Sequence, residues 1–321
     1  MASRNVSTID SDEAVRATND EASICKRFAV HMGYWKDPYI SFLVRSAERK
    51  TPEINRGYFA RVKGIQRLVH KFLKITKGDC QIVNLGAGFD SLYWQLHGEK
   101  WKLKAFVEFD YPNVTSRKCF CIKNNAKLLE ALKSDDGEVQ VNSSELHSGV
   151  YHLVAGDLRK LTQLEQKLSE CHLDFQVPTL FLFECVLVYI PIESSSVLLN
   201  FLANRFSSCF CISYEQVNMM DKFGDVMMSN LKGRGCILAG VEACRSLKTQ
   251  EDRFINSGWS GAISWEMNHV YHSLPKDEIQ RIEKIEFLDE KELLEQLFHH
   301  YCITVAWKGA EDLQFQAINL D

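Results

Sequence analysis

The stretch that most constrains this chain is Ile82-Val83-Asn84-Leu85-Gly86-Ala87-Gly88-Phe89-Asp90, an apolar run that ends in a glycine turn and an acid. Ile82, Val83 and Leu85 read as a buried parallel strand, and the two glycines let the backbone turn tightly with a ligand against it. A dinucleotide fingerprint would need a third glycine where Ser91 stands, and the Gly-Lys-Ser/Thr ending of a P-loop is absent. Pyrophosphate is therefore a poor ligand for this loop. Some twenty residues on, the spacing expected of a ribose-binding acid, Lys104-Ala105-Phe106-Val107-Glu108-Phe109-Asp110 reads as a second strand with acids at its carboxyl end. Strand periodicity puts Glu108 and Asp110 on one side, so either carboxylate could accept the paired hydroxyls of a ribose. A glycine loop, a ribose acid and no phosphate grip point to S-adenosylmethionine.

Bulk properties narrow the classes further. The 321 residues are 45% hydrophobic, enough for one large α/β domain or two smaller ones. Lys and Arg total 38 against 42 Asp and Glu, so the net charge is -4 and nothing advertises a nucleic-acid footprint. The first residues lack an apolar core of signal-peptide length, and no later run approaches a membrane span. The cytosol is the expected compartment, with the nucleus also compatible. Eleven cysteines without C-x-x-C spacing read as reduced and mostly buried.

In chain order, residues 1 to about 12 are polar and aperiodic, which predicts a frayed tail. A helix is expected from about Glu13 to Met32, closing at Gly33. Asp37-Pro38 and Thr51-Pro52 read as helix starts with proline at the first helical position. After Thr51, the positions Ile54, Tyr58, Val62, Ile65, Val69 and Phe72 recur three or four apart and mark a packed face. These helices suit a cover over the cofactor end of a sheet, in which Lys26 or Arg61 would hold an anion; a solvated basic face is the plainer meaning of the same charges. The organisation expected is a flexible tail over residues 1–20, a helical lid over 21–78 and a core over 79–321, with a helical insertion at about 218–258.

Beyond Asp110, Pro112 stops the strand, and Ser134-Asp135-Asp136-Gly137 reads as a surface loop. A third strand, Tyr151 to Leu158, ends in Gly-Asp-Leu, where Asp157 with Leu158 can hold an adenine or Asp157 can cap a helix. Pro178 to Ile190 is the strongest strand signal, apolar nearly throughout and broken by Glu184. Such a carboxylate must reach the strand's carboxyl end or find a positive partner. A helix from Pro191 leads to a fifth strand, Phe210 to Glu215. Met219, Met220, Met227 and Met228 mark a segment readable as ordinary core or, less readily, as an adaptable recognition surface. The last strands are expected from Gly258 to Glu266 and from Tyr301 to Trp307. Between them Asp289 and Glu292 resemble a capping-box variant. His299-His300 are adjacent helical residues that point apart, which argues against a metal.

Several motifs together resemble a known family. Cys25-Lys26-Arg27-Phe28, Asn55-Arg56-Gly57-Tyr58-Phe59-Ala60-Arg61, Asn84-Leu85-Gly86-Ala87-Gly88, Glu184-Cys185-Val186-Leu187-Val188-Tyr189, Tyr214-Glu215-Gln216-Val217-Asn218 and Phe287-Leu288-Asp289-Glu290 are similar to the leucine carboxyl methyltransferases, from about residue 20 to 310. The resemblance implies a class I S-adenosylmethionine-dependent methyltransferase, Rossmann-like, with a mostly parallel sheet of about seven strands and a helical lid. It also implies a partner, the catalytic subunit of protein phosphatase 2A, whose C-terminal leucine carboxylate would receive the methyl group. Lys26 and Arg61 would hold the cofactor carboxylate or the substrate end, Gly86 and Gly88 the methionine moiety and its loop, Asp110 the ribose, with Glu108 as second choice. Asp157 and Leu158 would hold the adenine and Glu184 the methionine amine. Arg61, Lys26 and Tyr189 are the expected catalytic residues, with no metal, nucleic acid or membrane involved and a monomer as the working form.

The chemistry agrees with the resemblance. Methylating an alcohol or amine calls for a general base, and no His-carboxylate pair or H-E-x-x-H spacing stands out near the strand ends. A chain-terminal carboxylate, with a reference pKa of about 3.5, is already a nucleophile at pH 7. Alignment, removal of water and a cation on the second oxygen would supply up to about 7–11 kcal/mol. Two alternatives stand beside this. One is the related enzyme acting on a wybutosine precursor in transfer RNA, which carries a kelch-repeat extension with no counterpart here; the other is a non-catalytic phosphatase-binding protein.

Overall fold

A computed structural model describes residues 8–133, 138–309 and 311–320, so the loop expected at Ser134–Gly137 and the first seven residues lie outside the described residues. The chain opens with α1 (Thr8–His31), α2 (Ile40–Leu43) and α3 (Pro52–Thr76), then runs β1 (Gln81–Leu85), α4 (Leu92–Gly98), β2 (Ala105–Asp110), α5 (Pro112–Lys123) and α6 (Ala126–Glu130). Next come β3 (Gln140–Val141), β4 (Leu146–His147), β5 (Tyr151–Ala155), α7 (Leu161–Glu170), β6 (Thr179–Glu184), α8 (Ile192–Arg205) and β7 (Cys209–Gln216). It continues through α9 (Lys222–Gly233), α10 (Leu247–Ile255), β8 (Gly261–Glu266), α11 (Met267–Ser273), α12 (Lys276–Glu283), α13 (Lys291–His299) and β9 (Tyr301–Lys308).

The strands form one sheet in the order β3-β4-β5-β2-β1-β6-β7-β9-β8. β5, β2, β1, β6 and β7 run parallel, while β9 inserts antiparallel between β7 and β8. Seven strands were expected, and from β5 to β8 there are seven. The additional pair is the short β3–β4 hairpin on the β5 edge, two residues per strand and too brief to leave a periodic signal.

Alternation along each strand divides the core between the two faces. Ile82, Phe106, Leu180, Leu182 and Phe210 pack on one face with Leu68, Val69 and Phe72 of α3 and Trp94 of α4. Val83, Val107, Phe181 and Phe183 pack on the other with Leu164 of α7 and Leu198 and Leu202 of α8. Continuous apolar strands are thus explained by burial from both sides, each phenylalanine contributing roughly 1.5–3 kcal/mol.

Several boundaries depart from the sequence reading. Helix α1 starts at Thr8 rather than about Glu13, so the end of the expected frayed stretch is already helical and the tail boundary drawn at residue 20 falls inside the helix. Pairing with distant residues, described below, offsets its weak apolar periodicity. Asp37 is not the N-cap that the sequence reading made it: Tyr39 takes that place and the one-turn helix begins only at Ile40, while Asp37 Oδ1 accepts from the N–H groups of Tyr39 and Ile40 at 2.9 and 3.1 Å in the turn before it. Helix α3 begins at Pro52 as read. Its buried side includes Asn55, Arg56, Phe59, Arg61 and Leu68, so the half-buried Ile54–Ile65 stripe is one flank of a helix covered on most sides. The strongest strand stops at Glu184, because Cys185 takes a left-handed φ of 58° and Leu187–Tyr189 form a 3-10 turn. Asp289 does not cap: α13 begins after Glu290, without a side-chain cap. His299 bonds Glu266 at 2.9 Å and His300 bonds Asp221 at 3.1 Å, with the rings at 89°.

Candidate functional site

The glycine turn after β1 carries left-handed φ angles of 77° at Gly86 and 52° at Gly88. Glycine is required at the first for a second reason: a Cβ there would lie 2.5 Å from Cγ2 of Val186. The turn is tied to the end of β2 by Gly86 N–H donating to the Phe109 carbonyl at 2.8 Å and Gly88 N–H donating to Oδ2 of Asp110 at 2.7 Å. Asp110 also accepts from Tyr111 N–H at 2.7 Å, while burial raises its pKa against these bonds.

Above the carboxyl ends of β1, β2, β5 and β6 lies a cavity of about 480 Å³, within the usual size range of small-molecule sites. Lys26, Arg61, Gly86, Gly88, Asp110, Asp157, Leu158, Glu184 and Tyr189 all line it. Residues spread over more than 160 positions of sequence therefore meet in one place. Glu108 does not join them. It is fully buried behind Asp110, where Lys118 Nζ lies 2.5 Å away and Tyr151 Oη donates at 2.8 Å. Burial raises its carboxyl pKa to about 7 against the pull of Lys118. The two acids share a side of β2, but only the terminal one reaches the cavity.

Glu184 is the electrostatic centre. Lys26 Nζ stands 2.8 and 3.0 Å from its two carboxylate oxygens, and Arg61 Nε donates to Oε1. Burial alone would raise its pKa; Arg61 and then Lys26 overcome this and hold the carboxyl at about 2. The Arg61 guanidinium lies 4.5 Å from the Tyr214 ring centroid and 5.3 Å from that of Tyr58, so cation–π contacts with both rings help hold it in place. At the end of the 3-10 turn, burial holds the Tyr189 phenol well above its ordinary pKa, which leaves it a neutral hydroxyl.

Asp157 is not a helix cap, since α7 starts at Leu161 after Lys160. Its Oδ1 accepts from the Arg159 N–H at 3.0 Å and the Arg159 guanidinium at 2.9 Å. Burial pushes its pKa up, but bonds from Arg159 bring it below its ordinary value. Arg159 also forks onto Asp12 of α1 at 3.0 and 2.7 Å. Further along α1, Asn19 Oδ1 accepts from Phe89 N–H at 3.0 Å and Asp20 pairs with Arg117 at 2.7 Å. These ties, with Glu21–Arg234 at 2.9 Å and Lys26–Glu184, hold α1 across the cavity.

Asn19, Tyr58, Cys185, Gln216 and Tyr301 also line the cavity but were not singled out as site residues from sequence. Tyr58 and Gln216 stood in quoted motifs; Asn19 carried no signal, because its place depends on how α1 crosses the sheet. The methionine segment divides: Met219 is fully buried, Met220 is exposed, and Met227 joins Phe223, Val226 and Arg234 on the cavity wall. Core is thus right for Met219 and wrong for Met220.

The arrangement finds clear relatives. The profile of the leucine carboxyl methyltransferase family matches residues 14–203. Leucine carboxyl methyltransferase 1 of Bos taurus is 49% identical over 96% of this chain and 93% of its own length, and that of Rattus norvegicus is 47% identical over the same shares. Human tRNA wybutosine-synthesizing protein 4 is 34% identical over 92% of this chain but only 44% of its own length. Among solved structures, a Thermobifida fusca protein classed provisionally as a methyltransferase superposes with a TM-score of 0.51 over 84% of this chain and 93% of its own, at 13% identity, which bears on the fold alone. The sheet is that of the class I S-adenosylmethionine-dependent methyltransferases, and the chain belongs to the leucine carboxyl methyltransferase family of enzymes.

Proposed function

We propose that this enzyme forms a methyl ester on the C-terminal leucine carboxylate of the protein phosphatase 2A catalytic subunit. The observation that carries the reading is the Lys26–Glu184–Arg61 cluster, two cations sharing one carboxylate inside the cavity. Its excess positive charge suits an anionic ligand end, and its acid suits an ammonium. A zwitterionic methionine tail presents both, so the residues fit S-adenosylmethionine. Gly86 lets the backbone approach, Asp110 offers acceptors for ribose hydroxyls, and Asp157 with Leu158 offers an acid and an apolar face for adenine.

When bound, the cofactor supplies an electrophilic methyl group. Lys26 and Arg61 draw a carboxylate inward and fix its orientation; the planar Arg61 fork, in contact with the Tyr58 and Tyr214 rings, restrains the angle. α1 and α9 line the cavity, so a carboxylate seated between them would displace water from the reacting end. The incoming carboxylate is ionised at pH 7 and requires no base, in keeping with a Tyr189 that stays protonated. This reading extends to regulation of phosphatase assembly through the charge state of the tail, and to a monomeric enzyme in the cytosol. Among the described residues no helix is long and apolar enough to cross a membrane.

The test is incubation with radiolabelled S-adenosylmethionine and phosphatase catalytic subunit carrying either its intact tail or one lacking the last leucine. Base-labile label on the intact tail alone is expected. Label on both tails, or on bulk transfer RNA and on neither tail, overturns the proposal.

A further inference from the structure

The cavity takes the carboxyl ends of the strands. At the opposite end of β5 a separate cluster uses no residue of the site described above. His147 on β4 and His152 on β5 are cross-strand partners in the hairpin register, and Cys171 caps the carboxyl end of α7. One ligand atom from each lies within 4.8 Å of the other two. Nδ1 of His147 stands 3.1 Å from Nδ1 of His152, with ring centroids 5.3 Å apart. Two nitrogens bound to one tetrahedral zinc at about 2.0–2.1 Å would stand about 3.3 Å apart, close to what is present before any adjustment.

We propose that His147, His152 and Cys171 form a structural site for a zinc-class divalent cation, which pins the β4–β5 hairpin to the end of α7. A hydrogen bond between two neutral imidazoles would explain the nitrogen pair but not the convergence of a thiol on it. Two imidazoles and one thiolate suit zinc or cobalt better than the hard, oxygen-seeking magnesium or calcium. Burial depresses both histidines, His152 to about 4, so both are neutral donors at pH 7. Burial pushes the Cys171 thiol up to about 12, so ion binding must release its proton. The charged groups nearby are Glu145, Glu170 and Lys167, with His172 beside them. Lys167 is paired with Glu145 at 2.9 Å and Glu170 at 3.0 Å, which blunts its repulsion of a cation. His147 is the least buried of the three, and with three protein donors a water would complete a tetrahedral set. Such a site needs no part in catalysis; it holds the strand that leads into Asp157.

The experiment titrates the chelator-treated full chain with Zn²⁺ by calorimetry, and with Co²⁺ by absorption. One ion per chain is expected, with a thiolate-to-cobalt charge-transfer band and a rise in unfolding temperature on adding zinc. His152→Ala and Cys171→Ser should each weaken zinc binding by at least about tenfold, and Cys171→Ser should remove the band. His147→Asn, at a half-buried hairpin position, should do the same to affinity while leaving the core intact. Failure to bind one ion per chain overturns the proposal. So does unchanged affinity in His147→Asn together with Cys171→Ser, which would place the ion on other cysteines.

Discussion

Replacing Glu184 by Gln removes the shared counter-ion of Lys26 and Arg61 while keeping the shape of the side chain. The carboxyl is held down from an ordinary 4.5 to about 2, and its side chain is only 17% exposed. At 1.36 kcal/mol per pH unit, that difference corresponds to about 3 kcal/mol of stability from the ionised form. Because the folded-state pKa is depressed, the whole contribution is present above the unfolded value of 4.5 and is lost as pH falls through about 2. Urea unfolding of parent and Glu184→Gln at a series of pH values should therefore show a gap of about 3 kcal/mol at pH 7. The gap should narrow below pH 4.5 and be nearly gone at pH 2. The same change removes the acid proposed for the methionine ammonium. A hydrogen bond to a charged group is worth about 1.5–3 kcal/mol, so retention of S-adenosylmethionine in equilibrium dialysis should weaken roughly 10- to 150-fold at pH 7. A stability gap of equal size at pH 7 and pH 2 would refute the electrostatic account. A normal dialysis result beside a pH-dependent gap would refute only the ligand assignment.

Arg61→Lys keeps the charge but loses the fork and its contacts with Tyr58 and Tyr214; kcat/KM with labelled cofactor should drop about 100-fold, and an unchanged value would remove Arg61 from the clamp. Gly86→Ala forces a side chain into a φ of 77° and within 2.5 Å of Val186. It should cost about 1–3 kcal/mol in thermal unfolding and weaken cofactor retention, whereas a neutral result would mean the turn relaxes without strain. Asp12→Asn cuts the charge pairing of α1 with Arg159. Amide exchange in the first turns of α1 should quicken, with exchange in α3 unaltered, and equal protection in both proteins would show that this tie does not hold the helix.

The site was more legible than its surroundings. Gly86, Gly88 and Asp110 follow from local chemistry, a sharp turn and an acid at a strand end, and they lie where that reasoning put them. Glu184 was marked by a contradiction, a carboxylate inside an apolar run, and the structure resolves it at the last residue of β6. Glu108 shows where strand periodicity stops helping. It gives the side of the sheet but not the depth, and depth assigned Glu108 to Lys118 and Tyr151. The first turn of α1, before Glu13, was missed because a helix held by ion pairs to remote residues has little apolar periodicity of its own.

The succession of buried strands along the chain, the glycine turn and the acid after it are consequences of residues adjacent in sequence, whereas the order of those strands in the sheet was decided by the fold. Pairings at a distance are another matter. That Lys26 and Arg61 share Glu184, that Asp12 and Asn19 tie α1 across the cavity, and that His147, His152 and Cys171 converge at the sheet edge were decided only by the tertiary structure. The physical reason is range: a backbone conformation answers to its neighbours within a few residues, whereas the field around a charge answers to whatever the completed fold brings within a few ångströms.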